Sequence, residues 1–221
     1  GLEVRTARNH VCCGALHAHN GEIAGAEDLA RSTIERFDAV DPDARIVVDS
    51  AGCGAHMREY DRLLANDPEW RDRAAAFSRR VVDYSEEMSR PDAIERLRGA
   101  LSERHGIAGP VTWDDPCHLC HGQGVTQQPR ALLDLVPGLE RVDMQAADSC
   151  CGSAGIYSVL RPHDSLAVLE PKLDHLAATG ARTLVTANPG CHQQWQSGIG
   201  RAGAGVEVLH LAEVLERALE G

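Results

Sequence analysis

The chain has 221 residues, a formal net charge of −11 and 8 cysteines. The length allows one large or two small domains, each able to bury a core, and the acidic balance argues against a general binder of nucleic acid or anionic membrane. No apolar run of about 18 residues spans a membrane, and no charged segment followed by an apolar stretch opens the chain as a signal peptide would.

In chain order, Leu2–Thr6 alternates and is predicted as a strand. Glu22–Val40 carries Ala26, Leu29, Ala30, Ile34 and Phe37 at helical spacing, and Ile46-Val47-Val48 fits a short buried strand. Ala55–Ala65 resumes helical spacing through Met57, Tyr60, Leu63 and Leu64. From Pro68 to Arg104 the chain is charged and helical in pattern, with Trp70, Ala74, Phe77, Val81 and Val82 as its stripe. Then come a strand at Val111–Trp113, a helix at Pro129–Leu135 and a strand at Leu139–Met144. A helix follows at Leu166–Ala178, which Pro171 must start, kink or break. A strand at Leu184–Thr186, a strand at Glu207–Leu209 and a helix at Leu211–Leu219 complete the chain. Strands alternating with helices predict α/β units with mainly parallel sheets. Ligands of such sheets gather at the carboxyl ends of strands, and each cysteine group is expected in a loop just after a strand.

The cysteines are the feature to explain. They stand at 12, 13, 53, 117, 120, 150, 151 and 191. With no secretion signal in view, metal ligation or redox chemistry is a better reading than a disulfide framework. Two adjacent pairs, Cys12-Cys13 and Cys150-Cys151, each precede a glycine, and each is followed forty positions later by a cysteine that itself follows a glycine, Cys53 and Cys191. A shift of 138 residues superposes all five positions, which marks an internal duplication. Cys117 lies upstream of the second pair, and its counterpart in the first repeat would fall before Gly1. Gly1-Leu2-Glu3 also resembles Gly138-Leu139-Glu140, and position 1 is not Met. We therefore expect a fragment whose first repeat has lost its leading segment and one cysteine. The domains expected are 1–66 (first, truncated), 67–109 (a helical spacer) and 110–221 (second).

A [4Fe–4S] cluster needs four ligands, typically thiolates, because soft sulfur matches iron. The second repeat supplies Cys117, Cys150, Cys151 and Cys191; the first supplies Cys12, Cys13 and Cys53. Glycines beside them allow close approach of the backbone and N–H groups turned toward sulfur. His56, three residues after Cys53, is an outside candidate for a fourth ligand in the first repeat. Cys120 has no counterpart in the duplication and reads as a spare thiol, with ligation as the alternative. The other histidines near these positions, His17, His19, His118, His121 and His192, read as hydrogen-bonding or surface groups, with ligation or proton transfer as the alternative. Arg130, Tyr157 and Trp195 receive no role beyond packing. The one lysine, Lys172, among 22 basic residues reads as a trait of base composition. Zinc held by four sulfurs, or a catalytic thiol in Cys150-Cys151, are the other chemistries these residue types allow.

The pattern Cys…Cys-Cys-Gly…Gly-Cys, twice, resembles the cysteine-rich CCG domains. These occur in heterodisulfide reductases, anaerobic glycerol-3-phosphate dehydrogenases, lactate-utilisation iron–sulfur proteins and glycolate oxidase iron–sulfur subunits. The stretches that carry the likeness are Cys12–His19, Ser50–Tyr60, Pro116–Gln123, Cys150–Tyr157 and Thr186–Cys191, and they look most like the glycolate oxidase subunits. The resemblance implies a fold of two tandem related α/β domains, an iron–sulfur cofactor and a role in electron transfer. Electrons would pass from an FAD-containing partner that oxidises glycolate or a related 2-hydroxy acid toward a quinone pool, with no substrate bound by this chain. It further implies an N-terminal ferredoxin-like domain outside this chain and a cytoplasmic place, peripheral to the inner membrane through partner subunits. One departure matters. The heterodisulfide reductase repeat ends in Cys-x-x-Cys and holds a noncubane cluster with five cysteines, whereas here the last position is His56 or Gln194. This favours an ordinary cubane in the second repeat, weak binding in the first, and argues against disulfide-reductase chemistry.

Overall fold

A computed structural model describes residues 3–104 and 106–221. The chain is α/β with parallel sheets and divides into two compact units. The first comprises the residues up to Val48 and Gly52–Asp83; the second comprises Asp49–Ala51 and Tyr84–Gly221.

The first unit runs α1 (Ala15–His19), α2 (Ile23–Asp38), β1 (Ile46–Val48), α3 (Ala51–Arg58, from Gly52 onward in this unit), α4 (Tyr60–Leu63), α5 (Arg71–Arg80) and β2 (Val81–Asp83). Strands β1 and β2 pair in parallel, Ile46 opposite Val81. The stripe expected on α2 is the buried one: Ala26, Ala30 and Ile34 are fully covered. Ala30 and Ile34 pack with Ile46, Tyr60, Ala74, Phe77 and Val81 in one apolar cluster. Phe77 stacks on Tyr60 (centroids 5.4 Å apart) and meets Phe37 edge-on.

The second unit runs α6 (Tyr84–Met88), α7 (Pro91–Ala100), β3 (Val111–Trp113), α8 (Cys117–Cys120), α9 (Gln127–Leu133), β4 (Arg141–Val142), α10 (Tyr157–Leu160), α11 (Pro162–Thr179), β5 (Thr183–Thr186), α12 (Pro189–Ala202), β6 (Glu207–His210) and α13 (Leu211–Glu220). Its sheet is parallel with order β4-β3-β5-β6. Adjacent strand residues face opposite ways, and both faces are buried. Val185 joins a cluster with Val111, Trp113, Leu132, Leu209 and Val214. Its neighbour Leu184 joins another with Leu169, Leu176, Trp195 and Val208. Prolines open α7, α11 and α12 at the first helical position, where the missing N–H costs nothing.

The structure alters several expectations. Leu2 lies outside the described residues, and Glu3–Thr6 carry no strand. Val81 and Val82 continue the helical period of α5, yet they form β2, because pairing with β1 satisfies their backbone. The stretch 67–109, expected as a helical spacer, divides: 67–83 packs in the first unit, and 84–109 belongs to the second. Helix breaks at Glu59 and resumes at Tyr60. The strand expected at Leu139–Met144 narrows to Arg141–Val142. Helix α11 runs on through Pro171, anchored by its buried face.

Candidate metal centre

In the second unit, the topology delivers cysteines from three places to one end of the sheet. Cys117 is the first residue of α8, just beyond β3. Cys191 is the third residue of α12, just beyond β5. Cys150 and Cys151 lie in the loop after β4. The expectation of cysteines in loops therefore holds only for the pairs; Cys53, Cys117 and Cys191 occupy the opening residues of helices, and Cys120 closes α8.

Cys117, Cys150, Cys151 and Cys191 form a continuous array. The Cys151 and Cys191 sulfurs are 3.1 Å apart, and Cys150 lies within hydrogen-bond reach of Cys117 and Cys151. None of the eight cysteines is in a disulfide; Cys150 is exposed, while Cys151 and Cys191 are buried. Donation from Cys117 and Cys151, with help from the Gly152 N–H, holds the Cys150 thiol well below its usual range. The same contacts, with burial, push Cys117 and Cys151 up. Two N–H donors point at sulfur: Gly152 at Cys150 (3.3 Å) and Asn188 Nδ2 at Cys191 (3.3 Å). Gly152 has φ +84, and a Cβ there would come within 2.2 Å of the Ser165 carbonyl oxygen, so the position requires glycine. Gly14, its counterpart in the first repeat, has the matching φ of +89.

Polar side chains hold the three segments. Asp114, fully buried just before Cys117, accepts from Thr186 Oγ1 (3.0 Å) and from Lys172 Nζ (2.5 Å). Asp115 accepts a two-pronged pair from Arg130 (2.8 and 2.6 Å) and a bond from Trp113 Nε1 (2.7 Å). Gln194, at the position of the absent fifth cysteine, donates to Ser165 (Oγ at 2.9 Å), and Ser165 donates to the Gly152 carbonyl (2.8 Å). His121 and His192 meet the carbonyls of Asp148 and Val208 through Nε2. His118 Nδ1 lies 3.7 Å from the Cys117 sulfur. Cys120 is buried, with contacts to the carbonyls of Asp115 and Cys117.

In the first unit, Cys13 is buried and hydrogen-bonded with Cys53, which together with burial raises its pKa. Tyr60 OH donates to the Cys13 carbonyl (2.6 Å), and Cys12 is exposed. His56 is buried, edge-on to Tyr60 and His19. Its Nε2 has no hydrogen-bond partner among the described residues, and burial, with a smaller push from His19, lowers its pKa to about 4.

Among the described residues no three His, Cys, Asp or Glu side chains converge as a single metal ion needs. A cluster makes a different demand, since each ligand binds its own iron and the sulfurs surround a larger group. The second array fits it: four soft sulfur donors, small residues beside them and N–H groups on the sulfurs.

Sequence reasoning passed over Asp114, Asp115 and Ser165, and Arg130, Lys172 and Gln194, read there as packing, base composition and a missing cysteine, turn out to brace the cysteine segments. Two signals were available. Paired acids at a strand end sit directly before Pro116-Cys117, and a single lysine stands out in an arginine-rich chain.

A chain of parallel α/β units with duplicated Cys-Cys-Gly loops belongs to the CCG cysteine-rich domain family, which matches residues 1–58 and 111–196. Among curated relatives, the chain is 40% identical to the probable glycolate oxidase iron-sulfur subunit of Bacillus subtilis (strain 168), over 99% of this chain and 48% of that protein. It thus spans about half the length of that relative. It is 33% identical to lactate utilization protein A of Shouchella clausii, over 97% of this chain and 86% of that protein, and 30% identical to its Bacillus subtilis namesake over 97% and 87%. Among the described residues no helix is long and apolar enough to cross a membrane.

Proposed function

We propose that this chain is an iron–sulfur electron-transfer part of a complex oxidising glycolate or a related 2-hydroxy acid, standing between an FAD-containing subunit and the quinone pool. The observation that carries the reading is the array of Cys117, Cys150, Cys151 and Cys191, drawn from three segments to one end of a parallel sheet. The naming of the 40%-identical relative supports it. When bound, a [4Fe–4S] cluster would supply a one-electron redox couple. The chain's own residues would then hold the sulfurs, donate N–H bonds that favour the reduced state, and leave the Cys150 edge at the surface for a partner. On this reading the chain binds no hydroxy acid, and any membrane association goes through partner subunits. Cys12, Cys13 and Cys53 form a second, weaker site, with His56 and Cys120 outside the primary ligand sets.

The coverage of lactate utilization protein A, 86% at 33% identity, favours a second reading in which two such units serve lactate oxidation. Ferredoxin motifs encoded upstream of Gly1 decide for glycolate oxidation, and their absence for lactate.

Anaerobic reconstitution tests the cofactor. We expect a brown protein with about four iron and four sulfide in the second unit, lost in Cys151→Ser and kept in Cys120→Ser. Colourless protein with stoichiometric zinc refutes the reading, and iron loss in Cys120→Ser overturns the ligand assignment.

A further inference from the structure

Lys172 sits on α11 with 1% of its surface exposed, and it is the chain's one lysine. A buried ammonium needs all its protons matched. Here Nζ donates to Asp114 Oδ1 (2.5 Å), to the Ala147 carbonyl (2.9 Å) and to the Ser149 carbonyl (2.8 Å). It also lies 5.5 Å above the Trp195 ring of α12.

The placement of these partners is what matters. Asp114 directly follows β3, three residues before Cys117. Its other oxygen takes Thr186, the last residue of β5, which leads to Cys191. Ala147 and Ser149 belong to the loop that ends in Cys150-Cys151, and Asp115 N–H donates to that same Ala147 carbonyl (3.1 Å). The ammonium therefore joins the Cys150 loop directly to the Cys117 segment, and through the second oxygen of Asp114 to the strand that leads to Cys191. If salt-bridge neutralisation were its whole purpose, Asp114 alone would suffice; the two carbonyls of the Cys150 loop would need no donor from it.

We propose that Lys172 is a positioning residue for the cysteine array: its ammonium tethers the loop carrying Cys150 and Cys151 to the strand ends that present Cys117 and Cys191. The link to a cluster rests on the iron–sulfur reading above, whereas the tether itself is a property of the cluster-free chain.

The decisive variant is Lys172→Met combined with Asp114→Asn, which removes both buried charges together and so spares the core an unpaired ion. Two readouts are taken on the whole chain: segment-resolved amide hydrogen exchange over 145–153 without iron, and the rate at which a chelator strips iron from reconstituted protein. The tether predicts roughly tenfold or faster exchange in that loop, because hydrogen bonds from a charged donor are lost, and a comparable acceleration of iron loss, with the urea midpoint held near wild type. Unchanged exchange and unchanged iron retention would show that Lys172 serves only to neutralise Asp114, and would overturn the inference. Asp114→Asn alone provides the second arm. It strands the ammonium without its counter-ion and lowers the stability of the whole unit, so exchange over 145–153 is read relative to that of β5 and α12. Because Lys172 still bonds the two carbonyls, that ratio should stay within about twofold of wild type, a fraction of one charged hydrogen bond; a rise in the ratio as large as in the double variant would assign the control to Asp114 and refute the role of Lys172. Wild-type protein that takes up no iron or sulfide would remove the cluster reading while leaving the exchange comparison to decide the tether.

Discussion

Removing Arg130 should unfold the second unit far more readily than its partly exposed position suggests. Asp115 retains 5% of its surface, and Arg130 supplies two of the three bonds its carboxylate accepts from side chains; Trp113 supplies the third. In Arg130→Met the carboxylate stays buried with one donor. Breaking a buried pair this way costs about 3–5 kcal/mol. Arg130 keeps 22% of its side-chain surface, so water can partly replace it, and the lower end, about 3 kcal/mol, is the expected figure. With a urea slope of about 2 kcal/mol/M, the midpoint should fall by roughly 1.5 M. Unfolding is followed by near-ultraviolet circular dichroism, to which Trp113 and Trp195 of this unit contribute. Adding Asp115→Asn removes the stranded charge and leaves Trp113 an acceptor, so the double variant should recover to within about 1 kcal/mol of wild type. A single variant that loses less than about 0.5 M in midpoint, or a double variant no more stable than the single, would refute the reasoning that charge burial sets the cost.

Gly152→Ala should destabilise the chain by at least about 2 kcal/mol, since the left-handed backbone and the Ser165 oxygen both oppose a Cβ; an unchanged urea midpoint would show that the loop relaxes freely. Phe77→Ala, which empties a fully buried site between Tyr60 and Phe37, should cost about 3–5 kcal/mol in the first unit, and a loss under about 1 kcal/mol would contradict the packing described. Stripping iron from reconstituted protein should lower the melting temperature, because ligands from three segments couple binding to folding. Equal melting temperatures for loaded and stripped protein would contradict that coupling.

Residue order alone determined the duplication, the α/β class and the seven duplicated or partnered cysteines, because each is a matter of period or spacing. The 138-residue shift carries β1 onto β5 and Gly14 onto Gly152, which share a left-handed backbone. The strand at Ile46–Val48 and the helices at 23–38 and 211–220 were legible because one continuous apolar pattern ran through each. Val81 and Val82 were misread, since a two-residue apolar step suits a helix face and a strand equally until a partner strand is present. The membership of 67–83 in the first unit was hidden for the same reason: helix periodicity reports a buried face, not what covers it. Tertiary structure alone decided the polar scaffold around the cysteines. Asp114 and Lys172 stand 58 positions apart, Asp115 and Arg130 fifteen, Ser165 and Gln194 twenty-nine. Burial makes such pairs obligatory, because a charged or polar group removed from water must find its partner; nothing in local sequence says which group that partner will be.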